Sequence, residues 1–258
     1  MRIPGLKYIA LLSFCGGLIS ITRAANNAPV VPLPTADALL QRVIEQSQKE
    51  NENDQAFKER YHYTRTKSTE YRNGSGDLKK KDEKTKVNRP KPAPDPAILV
   101  SDKTADSDDR TGNSKTNSFD KKELLMSTNL LNRFSFTVTG REIVDGRPAL
   151  IVDFKPKGKN LPEPTLKDRF INKAAGRVWV DEAEAVLVKA NVYLTEKVTL
   201  FGGIVGAVHK FTGSFGRKRT EDGLWFTSRA KWHLEAREVV LNRTIDFEEK
   251  KTDVRKAW

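Results

Sequence analysis

The residues of this chain that could do chemistry are few, and their spacing assigns them little. Cys15 is the single thiol and lies inside an apolar N-terminal run. A disulfide, a thiolate metal site and a cysteine nucleophile are therefore not expected. The three histidines, His62, His209 and His233, share no His-x-x-x-His spacing, and no His-Glu-x-x-His run is present. Zinc chemistry is not signalled by that pattern. Gly202, Gly203 and Gly206 could approach a phosphate, but no Lys-Ser or Lys-Thr pair follows and the dinucleotide spacing is missing. Asp102, Asp106, Asp108 and Asp109 lack the spacing of a calcium loop and read as a solvated acidic stretch. No Gly-x-Ser-x-Gly nucleophile elbow occurs. With no cluster bearing catalytic roles, the expectation is a protein that binds and does not catalyse, with neither metal nor cofactor.

Composition narrows what it could bind. The formal net charge is +12, from 46 Lys and Arg against 34 Asp and Glu. Arg2 and Lys7 precede the apolar run Tyr8 to Ile21, and Thr22-Arg23-Ala24-Ala25 follows it. That order reads as a secretory signal peptide, residues 1–24, cleaved near Ala24. The expected location is therefore periplasmic or secreted, in a bacterial cell envelope. Nucleic acid is not an expected partner there, whereas an anionic membrane surface suits the basic balance.

The elements that position any site are organised around Leu224 to Ala236. Its even positions are mostly apolar and its odd positions mostly polar. Successive side chains of a strand point to opposite faces, so this is a long strand with one greasy and one wet face. Upstream, residues 25–34 form a Pro-spotted tether. Thr35 is an N-cap for a helix carrying Leu39, Leu40, Val43 and Ile44, ending near Asp54. Residues 61–71 and 78–88 flank Asn73-Gly74-Ser75-Gly76-Asp77 as a hairpin. Lys79-Lys80-Lys81 suits an edge strand guarded against stray pairing. Residues 89–118 are Pro-rich and then almost without apolar side chains, and read as a largely disordered insertion. Asp120 to Glu123 is a capping box for a helix to about Asn132. Residues 134–139 and 150–154 form a second hairpin turning at Asp145-Gly146. Thr165 caps a short helix that Gly176 is placed to end in the left-handed conformation. Further strands follow to Phe247, and 254–258 reads as a tail. About nine antiparallel strands and three helices make an α+β layer architecture.

In this order the chain resembles a family. The carrying stretches are Val144-Asp145-Gly146-Arg147-Pro148-Ala149, Gly176-Arg177-Val178-Trp179-Val180-Asp181 and Gly223-Leu224-Trp225-Phe226, after the amphipathic helix and the Tyr-rich hairpin. Together they resemble the superfamily of the periplasmic lipoprotein carrier LolA and the outer-membrane receptor LolB, over roughly Thr35 to Asp253. The resemblance implies a single domain over 35–253. Its sheet would be a strongly curved, incomplete antiparallel barrel with helices on the concave face and room for acyl chains between them.

Two candidate sites follow. Phe134, Phe136, Val138, Leu150, Val152, Phe154, Phe226, Trp232 and Leu234 share strand spacing and would line an apolar cavity or form a dry core. Phe201, Ile204, Val205 and Val208 in the Gly-rich stretch would form a lid or a membrane-touching tip, or fold back over the barrel end. The functional expectation is a lipid- or lipoprotein-binding carrier whose partners are acyl chains. The alternatives are an envelope scaffold using the same fold without a ligand, and a glycan-binding module with Trp179 and Trp225 as stacking platforms.

Overall fold

Thr35 opens the first helix as its type requires. Its hydroxyl accepts a hydrogen bond from the Ala38 amide at 3.3 Å, and Asp37 faces the positive end of the helix dipole. The computed structural model describes residues 32–90, 132–158, 161–200 and 206–258. The expected signal peptide, most of the tether, the Pro-rich insertion beyond Pro90, the helix after Asp120 and residues 201–205 lie outside the described residues.

α1 spans Ala36–Gln48 and buries Leu39 and Val43. The expected single helix to Asp54 is corrected here. The chain breaks at Lys49 and restarts as α2, Glu50–Arg60. The apolar stripe of α1 stops at Ile44, so periodicity could not show the second helix. α2 is held instead by one buried side chain, Phe57, and by charges that suit its dipole, Glu50 and Glu52 first and Lys58 and Arg60 last.

Ten strands form one open sheet. They are β1 (Tyr61–Asn73), β2 (Leu78–Asn88), β3 (Phe134–Val144), β4 (Arg147–Pro156), β5 (Ala174–Asp181), β6 (Leu187–Leu194), β7 (Val198–Leu200), β8 (Gly206–Arg219), β9 (Trp225–Glu238) and β10 (Leu241–Lys256). α3, Leu166–Ile171, links β4 to β5. The order across the sheet is β2-β1-β10-β9-β8-β6-β5-β4-β3, with β7 beside β8. All pairings are antiparallel. The architecture is thus α+β with a curved antiparallel sheet that does not close. β7 is the strand the sequence did not separate, being only three residues long. β10 runs on to Lys256, into the stretch set aside as a tail, and the Ala257 amide bonds the Arg60 carbonyl at 2.8 Å.

Turn chemistry fixes the register. Asp145 and Gly146 both have positive φ, 47° and 79°, which is the hairpin turn whose twist matches the strands. Asn73 Oδ1 accepts from the amides of Ser75 and Asp77 at 3.2 and 2.9 Å, closing the β1–β2 turn. Gly176 does not end α3, contrary to expectation. It lies inside β5 opposite Val192, and a Cβ there would stand 2.1 Å from the Asn191 carbonyl oxygen. Close backbone approach, not a left-handed cap, is what this glycine serves.

Candidate functional site

Directly opposed residues of an antiparallel pair point to the same side, so the register sorts every side chain onto one of two faces. The three described helices pack on one face. Leu39 and Val43 of α1 cover Leu150, Val152 and Val180, with Phe136, Val138, Val178 and Leu187 around them. Phe57 of α2 stacks on Phe226 at 4.7 Å and on Tyr61 and Tyr63. Ile171 of α3 meets Phe134 and Ala174.

The nine candidate cavity residues therefore share one face but not one environment. Leu150 and Val152 are 0% and 1% exposed beneath α1. Phe226 is buried beneath α2, and Phe134 against α3. Phe136 and Val138 fringe the α1 cluster, and Phe154 meets Phe134 edge-on at 5.4 Å. Trp232 and Leu234 stand apart from these, half-buried on β9. Of the other candidate group, Val208 sits in β8 opposite Val198 and Ala236, and Phe201, Ile204 and Val205 lie outside the described residues.

The register adds residues that the sequence reading did not select. Trp232 opposes Phe247 on β10, and the two rings stack at 5.3 Å and 15°. Leu234 opposes Ile245 on one side and Phe211 on the other. Phe215 opposes Ala230. Phe211, Phe215, Trp232, Leu234, Ile245 and Phe247 are all half-buried. They form an apolar strip over β8, β9 and β10 on the helix side. On the same row, Gly213 and Gly176 flank Val192; the Phe211 and Phe154 rings lean over these glycines, 3.2 and 3.0 Å from where a Cβ would stand, and Val192 and Phe154 pack against the Ile171 cluster. The alternation Ile245-x-Phe247 was readable as a strand, but its pairing with Leu234 and Trp232 was not.

Behind the strip, on β8, β9 and β10, the opposite face is ionic. His233 Nδ1 lies 2.7 Å from Asp246 and Nε2 lies 3.0 Å from Glu235, which also takes Lys210 at 3.0 Å. The hydrogen bonds to Glu235 and Asp246 raise the imidazole pKa above its ordinary value, against a smaller effect of burial. Burial pushes the Glu248 carboxyl up, but Arg229, Lys231 and Lys250 outweigh it and hold it low. A concavity of about 600 Å³ opens on this face beside His233, Lys231 and Glu248. A smaller one, about 320 Å³, lies beside Glu142, Lys189 and Arg217. The larger hollow is lined by paired charges, Glu70, Lys231, His233, Asp246 and Glu248, together with neutral polar residues and the backs of Trp232 and Phe247, so the apolar strip is the better place for a greasy ligand.

The three motifs that carried the family resemblance meet at one end of the sheet. Arg147 grips Asp181 through Nε at 2.6 Å and Nη2 at 3.0 Å, and reaches Glu184 at 2.9 Å. Glu184 takes Arg219 at 2.8 Å and the Trp225 indole N–H at 2.7 Å. Asn53 of α2 completes the join, its side-chain amide donating to the Trp225 carbonyl at 2.6 Å and accepting from the Trp225 amide at 2.8 Å. Burial pushes the Asp181 carboxyl up, but Arg147 and the amides of Glu184 and Ala183 outweigh it and hold it below its ordinary range. Trp179 and Trp225 are each only 5% exposed, with Lys189 over the first ring and Arg147 over the second. They are parts of a buried cluster, and the expectation of free stacking platforms is corrected.

Among the described residues no group of three or more His, Cys, Asp or Glu is placed to share a metal ion. No described helix is long and apolar enough to cross a membrane. No family model matches the sequence, and no curated protein matches it. Solved structures do match over most of the chain. A domain described as an outer membrane lipoprotein-sorting protein, from Vibrio parahaemolyticus, is 13% identical over 84% of this chain and 93% of its own, with a TM-score of 0.33. A DUF1329 family protein from Desulfovibrio piger is 14% identical over 87% and 94%, with a TM-score of 0.31. A LolA superfamily protein from Nitrosomonas europaea is 10% identical over 84% and 94%, with a TM-score of 0.29.

Proposed function

We propose that this protein is an exported, non-enzymatic carrier of the cell envelope that holds the acyl chains of a lipid or lipoprotein against the helix side of its sheet. One observation carries the reading. Phe211, Phe215, Trp232, Leu234, Ile245 and Phe247 of β8, β9 and β10 are only half-buried, while Leu150, Val152 and Val180 of β4 and β5 are sealed beneath α1. Leaving Trp232, Phe247, Leu234 and Ile245 partly wet forgoes stabilisation that an acyl chain would supply, at about 0.8 kcal/mol for each methylene buried. Phe136 and Phe154, beyond the two glycines, extend the same face toward β3.

The test is native mass spectrometry of the full chain recovered gently from an envelope fraction, with the bound material extracted and identified. A stoichiometric lipid or lipoprotein adduct is expected, and it should be lost in the Trp232→Asp, Phe247→Asp double variant. A clean protein mass with no uptake of added lipid would sink the carrier reading and favour a ligand-free scaffold.

A further inference from the structure

The helix-side face does not end at the apolar strip. Next to it, on β10, β1 and β2, the register sets cations directly opposite one another. Arg65 of β1 opposes Lys86 on β2 and Lys251 on β10. One step along, Lys67 opposes Lys84. Like charges directly opposed across strands are destabilising, so two such pairs side by side need a reason. Guarding an edge strand is one use of lysine, and it accounts for charge on β2. It does not account for Arg65 and Lys251, which lie on the second and third strands in, away from any edge.

Neutralisation of Arg65, Lys84 and Lys86 among the described residues is also incomplete. Lys67 reaches Glu249 at 3.3 Å. Lys251 donates to the Thr227 carbonyl at 3.1 Å and lies over the Tyr63 ring. Arg65, Lys84 and Lys86 make no ion pair with any described residue, and both lysines are exposed. The opposite face of the same strands is different: there Glu70 pairs with Lys81, and Glu248 with Lys231. The excess of positive charge is therefore confined to the side that carries the apolar strip. Position along the strands agrees as well. The row that begins Lys84 and Lys67 continues through Glu249 to Ala230 and Phe215, and the next row runs from Asp82, which pairs with Lys80 at 2.7 Å, through Thr69 to Phe247 and Trp232. Adjacent strands lie about 4.8 Å apart, so Arg65 is roughly 10 Å from β9 across the sheet.

We infer that Arg65, Lys84 and Lys86 form the headgroup end of the ligand site, and that the ligand is an anionic, phosphate-bearing acyl amphiphile lying with its tail on Phe247 and Trp232. This rests on the carrier reading and sharpens it to a ligand class. Two oxygens of a phosphate can meet a guanidinium in its own plane, and the flanking ammonium groups supply unrestrained charge.

The test compares short-chain phosphatidylglycerol and phosphatidylcholine of equal acyl length, each dispersed below its micelle concentration, on the full chain by calorimetry at low salt. Inorganic phosphate and phosphatidylglycerol vesicles are the other arms. Each Lys or Arg near an anionic group contributes roughly fivefold in affinity, so Lys84→Glu with Lys86→Glu should weaken phosphatidylglycerol about twenty-fivefold or more. Phosphatidylcholine affinity should stay the same. The variant should melt no lower than the parent, because each new carboxylate faces Arg65 or Lys67; a Lys84→Gln, Lys86→Gln pair repeats the measurement if it does. Equal binding of both lipids by the parent chain would overturn the headgroup site and leave the carrier reading intact. Binding of neither would overturn both. Phosphate alone binding as tightly as the lipid, or attachment to vesicles without uptake of single molecules, would likewise overturn the inference.

Discussion

Two halves of one sheet face present the same alternation and end in different states. Under α1, β4 and β5 offer Leu150, Val152 and Val180, and two helix side chains close over them. On β9 and β10 the corresponding positions carry Trp232, Leu234, Ile245 and Phe247, and these remain half-buried. Strand periodicity is identical in both. Among the described residues, what differs is whether a helix with its own apolar stripe lies above. α1 has that stripe and α2 lacks it, keeping only Phe57 for the sheet. Burial is thus a property of the pair, strand plus cover, and the half-buried region is where a ligand has something to gain.

The largest predicted effect breaks the join that holds the two halves in one frame. Arg147 comes from the β3–β4 turn side, Asp181 and Glu184 from the β5–β6 turn, and Arg219 and Trp225 from β8 and β9. Asp181 is 1% exposed. Arg147→Ala would leave a buried carboxylate without its cation, at a cost of about 3–5 kcal/mol. Urea unfolding should show the midpoint falling by that measure. A loss below about 1 kcal/mol would mean that water reaches Asp181 and that the halves are held together elsewhere.

Next in size is a direct contrast of the halves. Leu150→Ala, in the sealed half, should cost about 2–5 kcal/mol because its cavity lies beneath a helix and cannot fill with water. Trp232→Ala, in the open half, forfeits mainly its stacking on Phe247, about 1 kcal/mol, yet should abolish most lipid uptake. Equal destabilisation by the two substitutions would erase the distinction and make the open half ordinary core.

Much of this was legible in the residues, and what was not has physical causes. The hairpins at Asn73–Asp77 and Asp145–Gly146 follow from turn chemistry that acts within a few residues. Thr165 and Asp168 announce α3 by the same locality, each bonding the other's backbone amide. α2 stayed hidden because Asn53 and Phe57 gain their meaning only from Trp225 and Phe226, far along the chain. Gly176 was misread because a glycine after a helix usually caps it, and the Asn191 carbonyl it accommodates is invisible in sequence. The site shows the same limit. Alternation gave the correct face for all nine candidates, but which of them a helix would seal depends on where α1, α2 and α3 come to rest. The cation pairs of β1 and β2 were likewise visible only as a basic composition until register set Arg65 against Lys86.

The smallest effect lies behind the open half, where His233 joins β9 to β10 on the ionic face. Its pKa is raised by hydrogen bonds to Glu235 and Asp246. A group whose folded pKa exceeds its unfolded value, about 6.5 for histidine, stabilises fully below that value and loses the contribution as pH rises through the folded pKa. Glu235 runs the other way: His233 and Lys210 lower its pKa, so its contribution is present above the ordinary carboxylate range and lost as pH falls through the folded value. Stability of this strand pair should therefore be greatest between those limits. Thermal melting of the parent chain at low salt should be higher at pH 6 than at pH 8.5, and His233→Gln should flatten that difference while leaving Leu150 packing untouched. Identical slopes in both proteins would mean that solvent screens the triad completely, and that the open half is held at β9–β10 by its apolar strip alone.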